Sequence, residues 1–195
     1  MKEYLIPFIL YILVGPIILQ ITQNEILAYS LKIFLVLVFL LIFRNKYQKR
    51  VRFDFLALII GIIIFLIWIY TEFVYPVNIV FEYFTFFIII IRLIGSVLVA
   101  PIIEELFTRS FLIRFLINPN WKKVPIGKYT LPSFIITVLF FGFSHNRWIP
   151  ALIAGILLNL LLYKRKDIGA CIFAHIIANL LLSIFVIATS SWHFW

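Results

Sequence analysis

Between Ile26 and Phe43 the chain runs for eighteen residues with a single charged side chain, Lys32. Runs of this kind recur from end to end. Tyr4–Leu19, Phe55–Tyr70, Phe84–Ala100, Leu131–His145, Ile149–Tyr163 and Ile168–Ala188 are built the same way, and Arg92 is the one Lys, Arg, Asp or Glu among them. The apolar residues are continuous rather than alternating, and the runs approach the ~20 residues that cross a bilayer as a helix. Inside lipid a backbone must satisfy its own hydrogen bonds, so such runs become helices. Hydrophobic residues make up 65% of the chain and charged residues 13%, with mean hydropathy +1.15; a soluble domain has roughly half apolar and a quarter charged. The expected fold class is all-α, a polytopic transmembrane helix bundle of seven to eight membrane helices. No linker, repeat or low-complexity segment divides it, so residues 1–195 read as a single integral-membrane domain.

The net charge of +9 does not point to nucleic acid, because the basic residues lie in short clusters between apolar runs, as loop charges do. Arg44–Arg52 holds five of them. With the N-terminus, Arg44–Arg52, Arg109–Lys128 and Lys164–Lys166 on one side, fourteen of the seventeen basic residues share that side. The positive-inside rule makes it cytoplasmic, and the acidic connection from Glu72 to Glu82 then faces out. The first run contains Pro7, Gly15 and Pro16 and lacks a cleavage site, so it reads as a retained span rather than a signal peptide. Pro101–Ile117 is expected as a separate kinked or partly inserted helix in the seven-span arrangement, and as a full crossing in the eight-span one. Lys32 is expected to snorkel to the interface, Arg92 to find a partner inside the bundle, and the tail Trp192–Trp195, His193 included, to lie at the membrane interface. Cys171, the one cysteine, reads as a packing residue.

Within this setting the adjacent pair Glu104–Glu105 stands out. Ionisable groups at membrane depth cost at least ~2.5–3.5 kcal/mol each and are candidate functional sites by default. Three pairs in the second half share one spacing: Glu105 and Arg109, Phe141 and His145, His175 and Asn179. Four residues advance a helix by about 400°, so each pair shares a face. Two of the three histidines thus lie inside apolar runs, with a pair of carboxylates and an amide. Such groups can supply a base, a proton donor and oxyanion-stabilising donors. Asn159, alone in its run, reads as a helix-to-helix bond.

These residues carry a resemblance. E-E-x-x-x-R at Glu104–Arg109, F-x-x-x-H at Phe141–His145 and H-x-x-x-N at His175–Asn179 resemble, in order and separation, the CAAX-protease and bacteriocin-processing (CPBP, or Abi) intramembrane proteases. That superfamily includes the eukaryotic Ras-converting CAAX endopeptidase. The resemblance covers about residues 97–182, the motif-bearing core. The stretches VLVAPIIEELFTRSFLIRFLI, VPIGKYT, FGFSHNRW and ATSSWHFW also resemble a bacterial CAAX-prenyl-protease-related subgroup associated with exosortase sorting. The resemblance implies a glutamate-dependent endopeptidase without metal or other cofactor. It implies that Glu104 and His145 activate water, that His175 and Asn179 stabilise the oxyanion, and that Glu105 and Arg109 support the site. The implied partners are the lipid bilayer and a membrane-anchored protein substrate, and the implied location is a bacterial inner membrane.

Three other functions fit parts of the pattern. A metal-dependent hydrolase would use Glu104, His145 and His175 as ligands, although no H-E-x-x-H occurs. A non-catalytic Abi-type immunity or scaffold protein needs only the fold. A proton-coupled transporter would use the acid pair, but repeated halves are missing. Hydropathy also raises a conflict of depth. It puts His145 near the outer end of its span and His175 about seven residues from the inner end of the last. One site can hold both only if Leu131–His145 sits deeper or if Ser144–Pro150 is a break inside the membrane.

Overall fold

The computed structural model describes residues 1–47, 51–74 and 86–195. The centre of the basic cluster and most of the expected outward acidic connection, including Glu82, lie outside the described residues. Within them the chain is helical, with no strand. The helices are α1 (Lys2–Thr22), α2 (Glu25–Ile42), α3 (Phe55–Val74), α4 (Phe86–Ile117), α5 (Leu131–Phe143), α6 (Trp148–Arg165) and α7 (Ile168–Thr189). All but α5 are long and apolar enough to cross a membrane. The expectation of an all-α polytopic bundle is met.

Helix ends follow local chemistry. The Asn24 side chain accepts from the Leu27 N–H at 3.0 Å and starts α2. Asp54 accepts from Ala57 at 2.9 Å to start α3, and Asp167 from Gly169 at 2.9 Å to start α7. Each such cap satisfies an N–H that the helix itself leaves unbonded.

The expected division at Pro101 is corrected. Phe86–Ile117 is one helical element of 32 residues, about 48 Å long at ~1.5 Å per residue. Two π-helical segments, Ile94–Val99 and Leu106–Leu112, lie within it. In the first, the Ala100 N–H bonds back to the Gly95 carbonyl, five residues earlier. A proline inside an α-helix removes a donor and crowds the preceding turn. Here the preceding turn is already widened, and the helix continues through Pro101.

The second half of α4 is the centre of the bundle. Ile103, Leu106 and Ile113 are fully buried. Phe107 stacks on Phe8 of α1 with ring centres 3.7 Å apart, and Phe111 lies against Tyr4 and Trp121. α1, α5 and α7 pack around this half, while α3 lies against α7 and α6. Gly61 of α3 sits so close to α7 that a Cβ there would meet the Ala174 carbonyl and the Ile177 side chain, which holds these two helices in backbone contact. Outward-facing residues such as Ile9, Phe34, Leu66, Phe87 and Ile184 remain exposed, as a surface solvated by lipid requires.

One further expectation is corrected by packing. Lys32 does not extend along its helix to an interface; its ammonium turns to α1 and lies over the rings of Tyr11 and Tyr29. The aromatic tail has partners of its own in the bundle. Ser190 takes a left-handed conformation (φ 54°) and turns the chain back. Arg147 then donates to the His193 carbonyl at 2.7 Å while its Nε and Nη2 hold Glu72 at 2.5 and 3.1 Å. Arg92 meets its expected partner within the bundle, the Tyr29 ring. Cys171 is buried, with its thiol facing the Leu158 carbonyl.

Candidate active site

Glu104 and Glu105 are successive residues on α4, so their side chains leave the helix about 100° apart and meet different neighbours. Glu105 points at the core. One of its oxygens, Oε1, accepts from Arg109 Nη1 at 3.1 Å and from His175 Nδ1 at 2.9 Å. Both Glu105 and Arg109 have no exposed side-chain surface. Arg109 also donates from Nε to Asn159 Oδ1 at 3.2 Å and from Nη2 to the Gly155 carbonyl at 3.5 Å. Its guanidinium lies 4.2 Å from the centre of the Phe141 ring. Asn159 passes the chain on, donating to Thr137 Oγ1 at 3.0 Å. Asn159 is therefore the expected interhelical bond, and it joins α4, α5 and α6 behind the acid pair.

Glu104 faces the other way, toward a cavity of about 200 Å³. At ~30 Å³ per water this holds several waters. Glu104 Oε1 accepts from the Tyr11 hydroxyl of α1 at 3.1 Å. Its Oε2 is buried, takes no hydrogen bond from the described residues, and lies 3.7 Å from His145 Nε2. The other ring nitrogen of His145 is 2.7 Å from the Phe141 carbonyl. A carbonyl only accepts, so Nδ1 carries the proton. In the neutral ring Nε2 therefore turns a lone pair toward Glu104. The i,i+4 relation between Phe141 and His145 is thus a backbone contact that fixes the histidine tautomer.

The same reasoning constrains His175. Its Nδ1 faces a carboxylate whose charge Arg109 balances, so Nδ1 donates to Glu105. His175 can then donate through Nε2 only when both ring nitrogens carry protons. Asn179 lines the cavity, and one of its amide hydrogens is held by the Ser96 carbonyl at 2.7 Å. Its second amide hydrogen is not used by that bond. Ser96 belongs to the first π-helical segment of α4, so the widened turn supplies a fixed acceptor at the cavity wall.

The two histidines that hydropathy sets at different depths line one cavity. α5 has 13 residues, about 20 Å, and falls short of the ~30 Å hydrocarbon core. The break from Ser144 to Arg147 follows directly, and His145 on that break meets Glu104 and the cavity wall that carries His175. Phe194 and Trp195 of the returning tail also line the cavity, as does Trp68 of α3, whose ring lies 6.0 Å from that of His145.

All six predicted residues thus belong to one connected site. Glu104, His145, His175 and Asn179 line the cavity, and Glu105 and Arg109 are the buried pair behind it. Sequence reasoning missed Tyr11, whose apolar run gives no sign of which helix it meets. Among the described residues no three His, Cys, Asp or Glu side chains group as a metal site.

A family model described as type II CAAX prenyl endopeptidase Rce1-like matches residues 85–181. Neither the curated proteins nor the solved structures yield a match. The matched stretch carries all six predicted site residues and is similar to the Rce1-like type II CAAX prenyl endopeptidases.

Proposed function

We propose that this protein is a glutamate-dependent intramembrane endopeptidase that hydrolyses a peptide bond near the C-terminal tail of a membrane-tethered protein. The observation that carries the reading is the facing pair, Glu104 Oε2 and His145 Nε2, 3.7 Å apart at the cavity. Two acceptors at that separation can each take one O–H from a single water and turn its lone pairs outward. In the proposed reaction that water attacks the scissile carbonyl carbon and gives its proton to Glu104. The carbonyl oxygen becomes an oxyanion, stabilised by the free amide N–H of Asn179 and by Nε2–H of protonated His175. The C–N bond then breaks and the amine leaves with the proton, returned through Glu104 and His145. Glu105 and Arg109 hold His175 and do not touch the substrate. Fixed donors of this kind contribute most in a water-poor site.

The family supports a CAAX-type substrate, in which a prenylated cysteine lies near the C-terminus. The finer reading, C-terminal sorting tails in an exosortase/CTERM system, rests on the subgroup resemblance of the sequence. We further propose that residues 1–195 form one integral-membrane domain with its catalytic core at 97–182. We place it in a bacterial inner membrane with the N-terminus cytoplasmic. An impermeant thiol reagent applied to intact cells should then label Ser190→Cys and leave Lys166→Cys unlabelled.

The test of activity is hydrolysis of an S-farnesyl Cys-a-a-X peptide by the purified protein in lipid nanodiscs, with and without a strong chelator. Glutamate-dependent catalysis predicts release of the tail at the same rate in both. Loss on chelation with recovery on one added metal favours the metallohydrolase. No cleavage of any tail by folded protein favours the non-catalytic Abi-type reading.

A further inference from the structure

His175 and Asn179 stand one turn apart on α7, and one further turn reaches Ser183. Residues four and eight positions apart share a helix face, and all three side chains line the cavity. Ser183 is 1% exposed. Hydroxyls elsewhere in the bundle bond back to the carbonyl four residues earlier, as Ser96 does to Arg92 at 2.7 Å and Thr137 to Ser133 at 2.6 Å. The Ser183 hydroxyl makes no hydrogen bond among the described residues. It is not sealed off either, as the partnerless Ser30 hydroxyl is, so it opens on the cavity.

A hydroxyl kept from bulk water without a partner is unfavourable, and a ligand that bonds to it removes that cost. The reaction steps above make no use of Ser183. Its spacing from Asn179 matches a peptide. Four residues of helix rise about 6 Å, and two residues of an extended chain rise about 6.6–6.8 Å, with the carbonyls of alternate residues on the same side. A substrate strand that runs along α7 with its scissile carbonyl at Asn179 therefore sets the carbonyl two residues away beside Ser183. Leu182 and, from the returning tail, Phe194 and Trp195 give the cavity an apolar lining as well. A main-chain carbonyl that enters such a lining leaves water behind and needs a donor.

We propose that Ser183 is a substrate-binding residue whose hydroxyl donates to the main-chain carbonyl two residues from the scissile one. This rests on the endopeptidase reading above and adds to it the line on which the substrate strand lies, along α7. The ligand is an extended peptide, held here by its backbone rather than by the identity of its side chains. Ser183 touches neither the attacking water nor the oxyanion. Its bond is the same in the bound substrate and in the transition state, so its loss is felt in KM and not in kcat.

The experiment uses wild type and Ser183→Ala in nanodiscs with an S-farnesyl peptide that ends in Cys-a-a-X, the cleaved bond being located by mass spectrometry. Two further peptides carry a trans-alkene, which keeps the shape and removes the carbonyl, in place of the peptide bond two places before or two places after the cleaved one. With wild type, one alkene peptide is expected to show a KM about 3–10-fold above the parent, as loss of one hydrogen bond implies. Ser183→Ala is expected to raise KM for the parent by a similar factor at unchanged kcat, and to leave that alkene peptide as it was, the non-additivity expected of two groups in contact. Three results overturn the subsite and leave the endopeptidase reading standing: parent KM in a folded Ser183→Ala protein, an equal rise for all three peptides, or a loss in kcat alone. Should Ser183→Ala fail to accumulate, wild type still decides, since both alkene peptides at the parent KM overturn the subsite. If folded wild type cleaves none of the peptides, the endopeptidase reading falls and the subsite with it.

Discussion

Replacing Arg109 by methionine tests the electrostatics of the buried half of the site. Arg109 is fully buried and bonds to Glu105, Asn159 and Gly155 at 3.1, 3.2 and 3.5 Å. The variant leaves Glu105 as a buried carboxylate with one donor, His175 at 2.9 Å, and with Oε2 still unbonded among the described residues. Removing one end of a buried ion pair costs about 3–5 kcal/mol, whereas replacing both ends by neutral groups is often close to neutral. Arg109→Met is therefore expected to lose that amount, and Glu105→Gln in the Arg109→Met background to recover at least ~1–2 kcal/mol of it. The assay is a double-mutant cycle, with denaturant- or heat-induced unfolding of each purified variant followed by tryptophan fluorescence. An Arg109→Met cost below ~1 kcal/mol, or strictly additive single effects, would refute the reasoning that the pair is closely coupled and desolvated.

Tyr11→Phe removes the donor that holds Glu104, and kcat should fall about 10–100-fold at nearly constant KM, as expected for one hydrogen bond to a charged group; steady-state kinetics checks it. Asn179→Ala should lower kcat by about 10²–10³ with little change in peptide affinity, provided the variant melts like wild type after losing its bond to Ser96. Outside the membrane, burial pushes the Asp54 carboxyl up, but the Ala57 N–H and the Arg165 guanidinium outweigh it and hold the group below its usual value. A depressed carboxylate adds stability above its unfolded pKa and loses it as pH falls through the folded one. Asp54→Asn should therefore cost less than ~1 kcal/mol at pH 7 for this exposed pair, and the gap in melting temperature should close below about pH 3–4.

The parts legible in the sequence were those that a single helix determines. Glu105 and Arg109 meet because four residues return the chain to the same face, and their charge marks them within an apolar run. The histidines stood out for the same reason. The parts that were not legible depend on which helices touch. Tyr11 and Tyr29 look like ordinary residues of membrane spans, and nothing along α1 or α2 says that they face Glu104 and Gly95. Lys32 followed the general rule for lysines near span ends until the packing of its stem on Gly15 turned it inward. Pro101 signals a break by propensity, yet the π-helical turn before it had already removed the conflict. Hydropathy put His145 at the end of a span because it counts apolar residues, whereas α5 is a short helix of 13 residues that ends at Phe143, and the break after it turns His145 to Glu104.

The central claim is that Glu104 activates the attacking water. The most direct measurement is the cleavage rate of the farnesylated peptide by Glu104→Gln, a substitution that keeps the acceptor for Tyr11 and removes the base. The variant must first match wild type in membrane accumulation and melting temperature. The account predicts that kcat falls by at least about 10², the lower range for loss of a positioned general base, while the peptide still binds. A well-folded Glu104→Gln protein that cleaves at near the wild-type rate would contradict it.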